Sequence, residues 1–273
     1  MTNRSGILQN SPLVYALTSI RFAPWPLLTE RFPQIQDAFR DIAPLINEIQ
    51  VQVPTHGVSM QPEFTTSKMW MLLSADRKLG IQLSSDQVFI FSRGYTSYNN
   101  FEIVLERVLT ELLRQMRFID INAMGVRFID HIKTSSQEEL QKYVSAQLLA
   151  PKFDGFEQLG GSSMTSYQCG EDKELRVRYT NFPGQPSISE DLMGVIFLAQ
   201  DPTIGVNIDP LKHGEALIDM DAIQQLKLPL RVSTTAQALA HLRELHSVAN
   251  NFFRHKDVFT DYAFSAWKGE SEK

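Results

Sequence analysis

The sequence predicts an α+β protein: two pseudo-symmetric β-α-β-β-β-β-α repeats forming a twisted antiparallel sheet with helices on one face. Three observations predict it. Apolar residues recur at three- and four-residue steps in only a few segments, and the two longest of these close the two halves of the chain. The segments between them are short, rich in β-branched and aromatic residues, and separated by turn residues. The order of elements over residues 13–116 returns over residues 119–256. A twisted antiparallel sheet with helices on one face buries each stripe, and two copies extend one sheet through their edge strands.

In the first half, a strand opening near Leu13 leads through Ile20-Arg21-Phe22 toward a helix with the stripe Phe32, Ile35, Phe39, Ile42 and Ile46. Pro33 fits the first turn of that helix, where no amide partner is lost. Strands follow at 49–53, 69–74, 80–84 and 88–93, with Asp76-Arg77-Lys78 and Ser85-Asp86 as hairpin turns. The helix over 101–116 carries Phe101, Leu105, Val108, Leu109, Leu112, Leu113 and Met116 on one face. Asn99 is its expected N-cap, and Glu102 sets a carboxylate at the positive end of the helix dipole.

In the second half, Val126-Arg127-Phe128 takes the place that Ile20-Arg21-Phe22 has in the first. A helix is expected from Ser135 or Ser136, each followed by Glu three residues on, burying Leu140, Tyr143, Val144 and Leu148. Strands are expected at 164–168, 174–180, 206–209 and 215–221. The closing helix carries Ala238, Leu242, Leu245, Ala249 and Phe252 behind the capping-box spacing of Thr234 and Gln237. Residues 1–118 thus read as a first α+β repeat and 119–273 as a second. The second holds an insertion near 181–205, marked by Pro183-Gly184, Pro186 and Asp201-Pro202, and a C-terminal tail.

Composition narrows the function classes. The chain has 273 residues, 43% of them hydrophobic, enough for a sizeable core. Its 26 basic and 31 acidic residues give a net charge of −5, which supplies no global attraction to nucleic acid or an anionic membrane. A single cysteine, Cys169, excludes an internal disulfide framework and a multi-cysteine metal site, and fits a reducing compartment. The apolar run at 13–17 is short for a signal-peptide core, and no stretch approaches the roughly 18 apolar residues of a spanning helix. A cytoplasmic protein without a membrane partner is the expectation.

A set of local motifs carries a family likeness. Ser11-Pro12-Leu13-Val14 leads into Ile20-Arg21-Phe22, and Ile81-Gln82-Leu83-Ser84 forms a strand. Tyr95-Thr96-Ser97-Tyr98 precedes a helix, followed later by Gly125-Val126-Arg127-Phe128, Leu217-Ile218-Asp219-Met220-Asp221 and Leu245-His246. Over most of its length the chain resembles a sporadically distributed bacterial family of conserved uncharacterised proteins. That family brings no settled activity, and the region 183–209 departs from the likeness. The order β-α-β-β-β-β-α, used twice, is similar to that of the TATA-binding-protein fold, an analogy of topology alone.

The residues with chemical potential do not form a catalytic set. Nucleophile chemistry needs a base beside the thiol or hydroxyl and a group orienting that base, and Cys169, at a turn beside Gly170, has no histidine nearby in sequence. His241 and His246 are five apart, so on a helix they diverge by about 140° and do not make a two-histidine metal face. Gly160-Gly161-Ser162-Ser163 lacks a lysine at phosphate-loop spacing and reads as a loop before a strand. Asp219 and Asp221 share one face of a strand and Asp209 would approach on a neighbour, a set suited to Mg²⁺ in a divalent-metal phosphodiesterase. The competing reading is a solvated strand face, since Ala216, Ile218 and Met220 alternate with them. No cofactor is expected.

Surface patterning points further. Leu175, Val177 and Tyr179 alternate with Glu174, Arg176 and Arg178, one side for packing and one for water. In the first half both sides are apolar: Trp70 and Leu72 oppose Met69, Met71 and Leu73, while Phe89 and Phe91 oppose Val88 and Ile90. Helices on one face would leave aromatic residues exposed, and a large patch of that kind needs a cover. The expectation is a non-enzymatic interaction protein whose sheet surface, with Trp70, Phe89, Phe91, Arg93, Arg127, Arg176 and Arg178, meets a protein partner or a second copy. Single-stranded RNA on the same surface is the alternative. Arg93, Arg127, Arg176 and Arg178 are balanced by Glu174, Asp209, Asp219 and Asp221, whereas a phosphate-tracking groove is dominated by positive charge. A cover supplied by the chain's own insertion or by its 258–267 segment is the remaining reading.

Overall fold

The computed structural model describes residues 4–55, 63–134, 138–151, 153–193 and 209–270. The chain runs β1 (Leu13–Phe22), α1 (Leu28–Phe39), β2 (Leu45–Thr55), β3 (Glu63–Leu73), β4 (Leu79–Ser84), β5 (Gln87–Ser92) and α2 (Tyr98–Met116). It continues through β6 (Ile119–Ile132), β7 (Ser162–Gln168), β8 (Lys173–Thr180), β9 (Ala216–Val232), α3 (Thr235–Phe253) and α4 (Asp261–Lys268). The nine strands make one antiparallel sheet in the order β2-β3-β4-β5-β1-β6-β9-β8-β7. At its centre β1 pairs with β6, Ala16 opposite Phe128 and Ile20 opposite Met124, so the sheet is continuous between the chain's two halves.

Alternation along the strands splits the sheet into two faces. On the first lie Ala16, Ile20, Trp70, Leu72, Ile81, Val88, Ile90, Val126, Phe128, Leu175, Val177, Ile218 and Met220, in one core with the buried stripes of the helices. α1 contributes Leu28, Phe32, Ile35 and Phe39, α2 contributes Phe101, Leu105, Leu109 and Leu112, and α3 contributes Ala238, Leu242, Leu245 and Ala249. Fully burying one such leucine or phenylalanine is worth about 1.5–3 kcal/mol, so the helices are held to the sheet by many comparable contributions. The small α4 adds Phe264 and Trp267, which pack with Phe253 and Phe259. Residues near the chain start are bound to α4: Arg4 pairs with Asp261 at 2.7 Å, and Asn10 donates its backbone N–H to Trp267 and its side-chain amide to Ala266.

Caps and turns follow local chemistry. The Thr234/Gln237 capping box forms as its spacing predicts. Arg77 takes a left-handed φ of 56° in the 76–78 turn, and Gly160 and Gly161 sit in the loop before β7. At α2 the N-cap is Ser97, two residues before the expected Asn99, and its hydroxyl accepts the Asn100 N–H at 3.3 Å. α1 begins earlier and ends at Phe39, which places Pro33 inside it and moves Ile46 into β2. β9 runs far past 221, and its register against β6 jumps between Ile121–Leu230 and Ala123–Gln225. That bulge accommodates Pro229, which has no N–H to give a ladder.

The helix expected after Ser135 does not form over the described part of its range; only a 3₁₀ turn, Leu140–Lys142, appears. The backbone is used elsewhere: Ser145 donates to Val258 and Thr260 donates to Tyr143, which joins this segment to the stretch before α4. Leu140, Tyr143 and Val144 are buried as expected, in a different conformation. The caps Ser135 and Ser136, and residues 206–208 of the expected 206–209 strand, lie outside the described residues. No helix is long and apolar enough to cross a membrane among the described residues.

Candidate functional site

The second face of the sheet divides along its width. Over β1, β3, β5 and the neighbouring parts of β6 and β9 it is apolar, with Tyr15, Leu17, Met71, Leu73, Phe89, Phe91, Ile129 and Leu217 in one cluster. This cluster is covered. Ile188 and Leu192, from the segment read as an insertion, and Leu211 beyond it pack on it and are themselves buried. Phe89 and Phe91 are accordingly 9% and 4% exposed, where an open aromatic surface was expected. Trp70 is buried on the opposite face, stacked on Phe32 at 4.3 Å between ring centroids. Arg93 lies over the Tyr15 ring, 5.5 Å from its centroid, at the border of the covered cluster.

Beside the cluster the same face becomes ionic. Arg127 donates from Nε and Nη2 to both oxygens of Asp219, at 2.7 and 2.5 Å. It also donates from Nη1 and Nη2 to Asp191, at 2.7 and 3.0 Å. Arg178 reaches Asp191 and Asp219, each at 3.3 Å, and the Ser189 hydroxyl donates to Asp219. Asp191 sits among the helical residues 190–193, next to Ile188 and Leu192, so the ion cluster fastens the segment that covers the apolar half.

Burial works against the Arg127 charge, but the hydrogen bonds it donates to Asp219 and Asp191 outweigh it and hold this guanidinium more firmly protonated than usual. The hydrogen bond from Arg127 keeps the Asp191 carboxyl below its ordinary range. Burial pushes Asp221 up to about 6, a shift that Arg127 opposes.

Farther out the face opens. Arg176 pairs with its strand neighbour Glu174 through Nε and Nη2 at 2.9 and 3.0 Å. Hydrogen bonds from Arg176 and Ser166 hold Glu174 down to about 2. Beyond β8 lies β7, every residue of which is exposed, with Met164 65% and Tyr167 41% accessible. The register puts Met164 and Ser166 opposite Arg178 and Arg176, hence on this second face. The expected site residues therefore separate into three places: Trp70 in the helix-side core, Phe89 and Phe91 under a cover that Arg93 borders, and Arg127, Arg176 and Arg178 in the ionic half.

Asp219 and Asp221 do lie on one strand face as expected, but both Asp219 oxygens accept from Arg127. The described residues contain no group of three or more His, Cys, Asp or Glu that could hold a metal ion. Sequence reasoning missed Asp191 and Ser189, which lie in a proline-marked stretch with no periodicity, and missed the outermost position of β7. The absence of charge and proline in Ser162–Gln168 was the available signal for the latter. No family model matches the chain, and no curated protein matches it in sequence.

Proposed function

We propose that the protein is a non-enzymatic interaction protein that pairs with a second copy of itself. The contact is the free edge of β7 together with the arginine-bearing end of the second face beside it. The observation that carries this reading is β7: an outermost strand, exposed throughout, whose sequence SSMTSYQ has neither a charge nor a proline. Natural edge strands are commonly protected by lysine, proline, a bulge or a cover, and β7 has no charge or proline with which to refuse a partner strand. A neutral strand can pair antiparallel with its own copy about a two-fold axis, since no like charges meet. Met164, Arg176 and Arg178 would then border the joint.

Single-stranded RNA fits this end less well, because Arg127, Arg176 and Arg178 are each paired with a carboxylate and leave no run of free positive charge. The reading extends to architecture. Outward from the central β1–β6 pair the first half lays β5, β4, β3 and β2 and the second lays β9, β8 and β7, each half closing on a long helix. That order supports a duplicated, TATA-binding-protein-like build. Light scattering on the eluting protein across a concentration series tests the pairing, with a dimer expected. Met164→Lys with Ser166→Lys should return it to a monomer without loss of thermal stability, since both side chains are exposed. A wild-type monomer up to high micromolar concentration, or a dimer indifferent to the two lysines, overturns the reading.

A further inference from the structure

On the helix side of the sheet lies a cavity of about 650 Å³, independent of the β7 edge. Its walls come from residues 6–13, from the 95–98 loop before α2, from Phe128 and Asp130 of β6, from Met220 of β9 and from the last turns of α3. The apolar part includes Leu8, Leu13, Phe128, Met220 and Phe253. Its volume is in the range of small-molecule sites, which are mostly apolar with a few polar groups placed among greasy walls.

The polar part is unusual. Three buried side-chain atoms without a hydrogen-bond partner among the described residues belong to residues that line this cavity: Asp130 Oδ2, Tyr98 Oη and Arg254 Nη1. Each such atom costs on the order of 1–3 kcal/mol when left bare, so their gathering at one place calls for a ligand. Asp130 is 1% exposed. Arg254 uses its other donors on neutral oxygens, Asn250 Oδ1 at 2.9 Å and the Gly6 carbonyl at 3.0 Å, and among the described residues none of its hydrogen bonds is to a carboxylate. The His246 ring stacks on Tyr98 at 3.8 Å and meets Phe128 edge-on, which gives the cavity a flat aromatic wall.

We infer that this cavity binds a small organic monoanion, a carboxylate on an apolar or aromatic body, with the carboxylate received by Arg254 and the body lying against the Tyr98–His246 stack. A guanidinium without a carboxylate partner favours an anion, and a single cation matches one negative charge rather than a phosphate dianion. The state of the other groups agrees. Burial pushes Asp130 up to about 8, with the Asp219 charge across the sheet adding to it, so at pH 7 it is mostly a neutral acid able to donate a hydrogen bond. Burial pushes Tyr95 up to about 12, keeping its phenol neutral, and holds His246 down at about 4, an uncharged imidazole. The Glu102 charge acts on Tyr98 and is itself bound to Arg243 at 2.8 and 2.6 Å.

The test uses the full chain with benzoate, indole-3-acetate, 4-phenylbutyrate and decanoate, each beside its primary amide, and with inorganic phosphate as the plain anion. Calorimetry and thermal shift should show binding of one or more carboxylates and none of the matching amides. Arg254→Gln should weaken that binding about ten- to a hundredfold, the scale of a charge-assisted hydrogen bond. Tyr98→Phe keeps the ring stack and removes the bare hydroxyl, so it should fold normally and bind a few-fold more weakly. Affinity should fall as pH rises through about 8, where Asp130 ionises and repels the ligand, and Asp130→Asn should remove that fall. The inference is overturned if no carboxylate binds at millimolar concentration, if amides or phosphate bind as well as the carboxylates, or if folded Arg254→Gln and Tyr98→Phe both bind unchanged.

Discussion

The two halves of the second sheet face begin from the same alternation of strand residues and end differently. Over β1, β3 and β5 the outward positions are Tyr15, Leu17, Met71, Phe89 and Phe91, and the chain folds a segment of its own across them. Over β6, β8 and β9 they are Arg127, Arg176, Arg178, Asp219 and Asp221, and the far end stays open to water. An apolar strand face must be shielded wherever shielding can be found. An ionic one can remain at the surface when its charges are paired. The two halves are also coupled, since the Arg127–Asp191 contact fastens the cover of the first to the charges of the second.

Breaking that coupling should produce the largest effect. Arg127→Met leaves Asp219 buried without its bidentate partner and leaves Asp191 with only its 3.3 Å contact to Arg178, and loss of one member of a buried pair costs about 3–5 kcal/mol. Urea denaturation should show a loss of that size, and dye binding should report an uncovered apolar surface. An unchanged midpoint would mean that the cover is held by packing alone.

The comparison sharpens when one residue from each half is removed. Phe91→Ala should cost about 3–5 kcal/mol, the scale of a phenylalanine deleted from a packed core. Arg178→Ala should cost less than about 1 kcal/mol, because its side chain is a third exposed and Arg127 still neutralises Asp219. Equal losses in chemical denaturation would erase the distinction between the covered and open halves.

The smallest expected signal is the ionic half's own share of the pH dependence near pH 6. Asp221 has a folded pKa of about 6, raised above its unfolded value, so its contribution is complete below the unfolded value and is lost as pH rises through 6. Asp191 runs the other way. Its folded pKa is depressed, so its contribution is present above the unfolded value and is lost as pH falls through the folded one. Asp221→Asn should lessen the decline up to pH 6 in a series of thermal midpoints, leave the part that Asp130 carries on toward pH 8, and leave the acid limb intact. A decline that survives the substitution belongs to another group.

Much of the scaffold was legible because its signals are local. The Thr234/Gln237 box, the apolar stripe of α2 and the 76–78 turn need only neighbours within a few residues. What sequence misjudged depends on distant partners. The segment after Glu138 carries a plausible helical stripe, yet its backbone pairs with residues 258–260, more than a hundred positions away. Trp70, Phe89 and Phe91 were grouped as one surface, although register sends Trp70 to the helix side and the two phenylalanines to the other. When both faces of a strand are apolar, alternation no longer says which is which, and only pairing does. The cover residues Ile188, Leu192 and Leu211 lie in a proline-marked stretch whose sequence shows no period.

The tie between Arg4, Asn10 and α4 joins stretches of chain separated by some 250 positions. Residues 4–10 and 261–268 are therefore held together, with Trp267 of the helix packed on Phe253 and Phe259. Trimming the leading stretch would loosen the trailing helix as surely as trimming that helix itself, and a tension applied at either place would be shared by both.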